Sequence, residues 1–155
     1  MATTGGPWTG AGTKHSRRPE LAWCSGRFGQ PPAHPPEPDW ELADWIRNEA
    51  GPKRKRFYDS AAWLHLRSKV LAESHGASIY ELTLSPARYV PATCVHHVMR
   101  VSQHPEWALS EWAVDETGAV IRNLLPLSHF AHDLAHGRCM PGGMGRAAPL
   151  TEERW

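Results

Sequence analysis

Six of the ten histidines lie between residues 96 and 136, and their spacing constrains the fold more than any other feature. His96 and His97 are adjacent within the apolar run TCVHHVMRV (93–101), while His132 and His136 stand four apart in HFAHDLAH. Helix positions i and i+4 share a face one turn apart, so residues 132 and 136 are expected to aim two imidazoles at one point. Neutral imidazole is the commonest transition-metal ligand. A third ligand can come from the adjacent pair. Strand neighbours point to opposite faces, so one of the two can bind an ion while the other stays free to take a proton from water.

Composition narrows the classes. No apolar run approaches the ~20 residues that a membrane span needs. No charged segment followed by an apolar one opens the sequence, so no secretory leader is expected. Cys24, Cys94 and Cys139 are far apart, with no CxxC pair, which argues against a disulfide framework and a cysteine-ligated zinc finger. A cytoplasmic, non-membrane protein is the expectation. The net charge of +1 hides a segregation: residues 53–100 carry 8 basic and 3 acidic groups, against 5 and 6 before them and 4 and 7 after. A basic middle in a near-neutral chain suggests one face built to meet an anion.

Eight of the 14 prolines fall in the first 52 residues, including PPAHPPEP at 31–38. Residues 1–38 therefore read as a flexible Pro/Gly-rich arm, with Trp8 and Trp23 available for docking. Residues 39–52 read as a short helix and linker, started at Asp39 and ended by Gly51-Pro52. KRKR (53–56) then leads into a helix capped by Ser60 and closed by Gly76, with Trp63, Leu66, Val70 and Leu71 at helical spacing. The basic run serves as a solvated leader, a localisation-like signal or a phosphate contact.

SIYELTL (78–84) and residues 93–101 have strand composition, joined by the turn SPARYVP. A loop with Trp107 and Trp112 leads to a short strand near Ala119–Arg122 that Asn123 ends. LLPLS then connects to a last helix capped by Ser128 and closed by Gly137. Residues 139–155 read as a flexible tail.

The ordered set is a basic helix, a strand with HH, a strand ending in Asn, then a helix with His nine and thirteen positions after that Asn. In this set the chain resembles the HNH endonuclease family, over about residues 54–138. RFYDSAAWLHLRSKVL is similar to that family's leader helix, and the layout through YVPATCVHHVMRV and NLLPLSHFAHDLAHG resembles small phage-encoded members. The HH…N…HxxxH spacing is also similar to colicin-type DNase domains. The resemblance implies an α+β fold with a ββα-metal (His-Me finger) core, making 53–138 an HNH nuclease domain behind the N-terminal helix and arm.

The resemblance further implies His97 as general base and Asn123 as the amide that braces the loop and holds that base. His96, His132 and His136 become ligands of a divalent ion, whether Mg, Mn, Ni or Zn. Lys53, Arg54, Lys55, Arg56, Arg67 and Arg100 would track DNA phosphates, and Arg122 and Arg138 could clamp the scissile phosphate or be ordinary surface charge. The implied partners are DNA and phage packaging proteins, and the implied location is the host cytoplasm. Many phage relatives carry two CxxC pairs for a structural zinc. Those positions correspond here to Ser78, Glu81, Ser128 and Ala131, so that knuckle is expected to be missing. The competing reading is a non-catalytic nucleic-acid-binding module in which the histidines hold a structural zinc. A toxin nuclease domain is a third reading, which a neighbouring inhibitor gene would favour.

Overall fold

The computed structural model describes residues 28–138. Most of the expected arm, with Trp8, Trp23 and Cys24, and the expected tail, with Cys139, lie outside the described residues. What is described is a mixed α/β unit of small antiparallel sheets and five α-helices. No helix among the described residues is long and apolar enough to cross a membrane.

Helix α1 spans Trp40–Asn48, and the Asp39 carboxylate accepts from the Leu42 amide at its N-terminus. Its inner residues Ala43 and Ile46 are buried. After a 3₁₀ turn at Pro52–Arg54, the single-turn α2 (Lys55–Tyr58) buries Phe57 and Tyr58. Helix α3 (Ala61–Glu73) is capped by Ser60, whose hydroxyl accepts from Trp63 N, and it buries Trp63 and Val70. Gly76 follows with its amide on Leu71 O at 2.9 Å.

The expected strand at 78–84 is instead a one-turn helix, α4 (Ile79–Leu82). Alternating apolar residues over so few positions fit either period. Here Ser78 is tied by its hydroxyl to the Ser128 amide, and the turn at Thr83 and Leu84 folds back onto Tyr80 O and Glu81 O. Ser78 N bonds Val90 O just before the helix begins, beside the isolated bridge of Ala77 with Pro91.

The strand that does form, β1 (Cys94–His97), is shorter than the expected 93–101. It ends because Val98 and Met99 give their amides to the Asn123 carbonyl and side-chain oxygen. Strand β2 (Trp112–Val114), where a loop is expected, pairs with β3 (Val120–Arg122). Strand β4 (Leu124–Leu127) occupies the LLPL expected to be a connector, and pairs antiparallel with β1 in the register His96↔Leu125 and His97↔Leu124. A strand of a two-stranded sheet has one open edge, where the missing N–H of Pro126 is tolerated.

Helix α5 (His129–Ala135) begins at Ser128, whose hydroxyl accepts from Ala131 N. It stops at Gly137, whose φ of +68° suits a residue without Cβ. Helices α3, α4 and α5 all pack on β4, whose four residues are completely interior. Phe57, Trp63, Val70, Val95, Met99 and Leu124 fill the core beneath them.

A second cluster is ionic. Arg122, whose side chain is only 3% exposed, bonds Glu73 at 2.9 Å and Glu111 at 3.0 Å, and its Nε donates to Leu124 O at 3.2 Å. Its guanidinium also lies over the rings of Phe28 (4.5 Å) and Trp112 (5.3 Å). Lys69 closes the ring onto Glu111 and Glu73. Any Cβ on Gly29 would stand 2.9 Å from an Arg122 nitrogen, so the chain passes here only as glycine. Arg122 thus anchors α3 to the β2–β3 pair and is spent on that task, which removes it as a phosphate clamp.

Arg122→Ala leaves Lys69 as the cation beside Glu73 and Glu111, and loss of a hydrogen bond to a charged group costs about 1.5–3 kcal/mol. Urea denaturation of the variant is expected to show a loss of that size.

Candidate metal centre

β1 carries His96 and His97 to opposite sides because adjacent strand residues alternate. His96 meets the two histidines of α5. Its ring centroid lies 5.4 Å from that of His132 and 4.9 Å from that of His136, each nearly perpendicular, and the two α5 rings are 4.5 Å apart. The Nε2 atoms of His132 and His136 are separated by 3.2 Å. One ligand nitrogen from each of the three residues falls within 4.8 Å of the others, and all three residues are buried.

These donors fit a divalent transition ion. Metal–nitrogen bonds of ~2.0–2.1 Å in a tetrahedron put neighbouring nitrogens at roughly 3.3 Å, so the α5 pair already has the required spacing. Binding also needs unprotonated imidazole, and the surroundings provide it. Burial pushes all three histidines below their ordinary pKa, His96 most strongly, with the other rings and Arg100 adding to the effect. For His132 burial leads and Arg138 reinforces it, while Asp133 opposes. His136 is lowered to about 4 by burial, then by His132, Arg138 and Arg100. Its Nδ1 is buried without a hydrogen-bond partner. The two α5 ring nitrogens already face each other at the separation that a shared ion would need.

His97 turns the other way. Its ring stacks on Trp63 at 4.7 Å and 24°, with Phe57 and Tyr58 each 6.4 Å away. Nε2 lies 3.0 Å from the Ala108 carbonyl. A carbonyl only accepts, so Nε2 carries the proton and Nδ1 is the basic nitrogen. Burial lowers its pKa to about 4 against the opposing pull of that carbonyl.

Asn123 sits at the junction of β3 and β4, fully buried. Its amide nitrogen donates to Trp107 O at 2.8 Å and Ser110 O at 2.9 Å, and its oxygen accepts from Met99 N. The side chain thereby pins both ends of the 98–111 excursion, and Ala108, the partner of His97, lies inside the pinned span.

The basic residues disperse. Lys55 pairs with Asp59, Arg56 donates to Glu49 O at 2.9 Å beneath the Trp45 ring, and Arg67 donates to Thr93 O at 3.1 Å. Lys53 and Arg54 lie on the 3₁₀ turn, and Arg100 lies close enough for its charge to act on His96 and His136. Arg138 is bound to Asp133 at 3.4 Å. Ser78, Glu81, Ser128 and Ala131 meet: Ser78 Oγ accepts from Ser128 N, Ser128 Oγ donates to Glu81, and Ala131 N donates to Ser128 Oγ. Hydrogen bonds join α4 to α5 there. Two members of the site had no sequence signal. Trp63 reads as plain core, and the Ala108 carbonyl is a backbone group that any residue provides.

In the metal-free protein, four buried histidines resist protonation. The unfolded chain takes up protons near pH 6.5 that the folded chain refuses, so stability present above that pH is lost as it falls toward about 4. Thermal melts in chelator across pH 4–8 are expected to show this slope, and a flat profile would contradict the burial described. Adding Zn²⁺, Ni²⁺ or Mn²⁺ at neutral pH is expected to raise Tm, and His132→Ala is expected to remove the rise.

No family model, curated protein or solved structure matches this chain.

Proposed function

We propose that the chain is a metal-dependent endonuclease of HNH type that hydrolyses DNA phosphodiester bonds, with β1, β4 and α5 forming a ββα-metal core. The observation that carries this reading is the division between neighbours on β1. His96 joins an imidazole cluster with His132 and His136, while His97 is held apart by an aromatic stack and one carbonyl. A purely structural site would have no need to orient a fourth histidine separately.

Hydrolysis of a phosphodiester needs an activated water, relief of charge on the phosphorane-like transition state, and a departing 3′ oxygen. His97 is neutral at pH 7, and its Nδ1 can accept the proton from water. An incoming phosphate anion strengthens that base by favouring its charged form. Ala108 O holds the tautomer, and Asn123 holds the loop that bears Ala108. A divalent ion on His96, His132 and His136 would supply Lewis-acid stabilisation of the phosphate and leaving oxygens. Three neutral ligands leave its double positive charge intact.

The second reading, a non-catalytic nucleic-acid-binding module with a structural zinc, is favoured by one observation: His97 is 8% exposed and stacked like a core residue. Structural zinc sites are normally closed by four protein ligands, and the described cluster offers three.

Plasmid nicking with Mg²⁺, Mn²⁺, Ni²⁺ or Zn²⁺ separates the two readings. Wild type is expected to nick, and His97→Ala to lose about 10²–10⁴-fold in rate while keeping metal-induced stabilisation. Undiminished cleavage by His97→Ala removes the mechanism. A wild type that binds DNA and never cuts it leaves the module.

A further inference from the structure

A cleft of about 260 Å³ opens beside the C-terminal end of α1, lined by Ile46, Arg47, Lys53, Arg54, Val101 and Ser102. Its inner wall includes two buried aliphatics and the rest is polar, with three cations and one hydroxyl converging from three separate segments.

Two features mark it as more than a gap between side chains. Lys53 and Arg54 are consecutive and both left-handed, with φ of 52° and 55°. A side-chain-bearing residue in that region costs roughly 1–2 kcal/mol, and such costs concentrate at ligand-holding segments. The backbone of this turn is otherwise satisfied, since Arg54 N and Arg56 N donate to Gly51 O and Ala50 O. The left-handed pair is therefore fixed by the fold, and it presents two adjacent cations at one opening. The second feature is charge. Arg47 is already shared, lying 3.6 Å from Asp44 and 3.5 Å from Glu106, whereas the Lys53 ammonium has no carboxylate partner among the described residues.

The cleft is also tied to the metal centre. Val101 and Ser102 follow Arg100 on the turn that Asn123 pins through Met99, and Arg100 acts on two of the clustered histidines. The turn that lends Val101 and Ser102 to the cleft also carries Arg100, whose charge is felt by His96 and His136.

We propose that the cleft is a phosphate subsite, formed by Lys53, Arg54 and Ser102, which holds a backbone phosphate of the nucleic acid other than the one cleaved. The proposal rests on the nuclease reading for the identity of the polymer, while the oxyanion chemistry stands on the cleft alone. Lys53 and Arg54 supply charge, and the Ser102 hydroxyl donates to a phosphate oxygen. The subsite would set the register of the strand relative to the imidazole cluster.

The test uses the full chain in chelator, with a 20-base-pair duplex titrated over a range of salt. Lys53→Gly deletes the cation at a position whose φ glycine accepts freely, so folding is not at risk. Lys53→Gly combined with Ser102→Ala is expected to weaken binding about tenfold at low salt, as loss of charge-assisted bonds does. The slope of log K against log salt should also fall by about 0.9, the value for one phosphate. Lys53→Arg should retain both affinity and slope. Unchanged affinity and slope in the double variant overturn the proposal, even where nicking by the wild type upholds the nuclease reading.

A second arm uses inorganic phosphate, followed by backbone amide NMR shifts. Shifts at residues 53, 54 and 102 in a wild type that ignores DNA keep the phosphate site and discard its assignment to nucleic acid, and with it the nuclease reading. No response to either probe overturns the site.

Discussion

One buried amide, that of Asn123, governs how the rest of the molecule can be arranged around the histidines. Its three side-chain hydrogen bonds reach Met99, Trp107 and Ser110, and its own backbone bonds Val98 and Glu111. Every polar group of the residue is thus spent inside the protein. A long excursion between two strands would ordinarily carry many loose conformations, because loop closure restrains only its ends. Here an interior residue of the next strand pair takes hold of the excursion at three points. Low dielectric around a fully buried amide makes those bonds strong, and makes each one costly to leave unmade.

The imidazole cluster obeys a different constraint. Three like groups packed edge to face gain little from one another, and burial denies them the protons that water would offer. The fold brings them together because they lie on elements that the apolar core already fixes. His96 sits opposite Leu125, and α5 is held by Ala131 and the Ser128 cap. The cluster is therefore a consequence of packing in β1, β4 and α5, and it stores an unsatisfied preference for a positive centre.

Much of this was legible in the sequence where the signal is local. Asp39, Ser60 and Ser128 each cap the helix they precede, because a short polar side chain before an apolar run has one economical use. The split between His96 and His97 follows from strand alternation, and the convergence of His132 with His136 follows from helical periodicity. Illegible features depend on partners distant in the chain. LLPL reads as a connector because nothing in those four residues records that β1 lies beside them. Ile79 and Leu82 looked like strand residues because nothing in SIYELTL records that Ser78 is tied to Ser128. Arg122 looked like a surface charge, since Glu73 and Glu111 are 49 and 11 residues away and Phe28 farther still.

Helix α5 is only seven residues long, and His136 sits just beyond its final turn with φ of −88° and ψ of 3°. Segments so short do not hold helical shape unaided in water. An ion gripping residues 132 and 136 would span that last turn and act as a clasp on it. Affinity for the ion and order in the C-terminal end of α5 are then one quantity, measurable from either side.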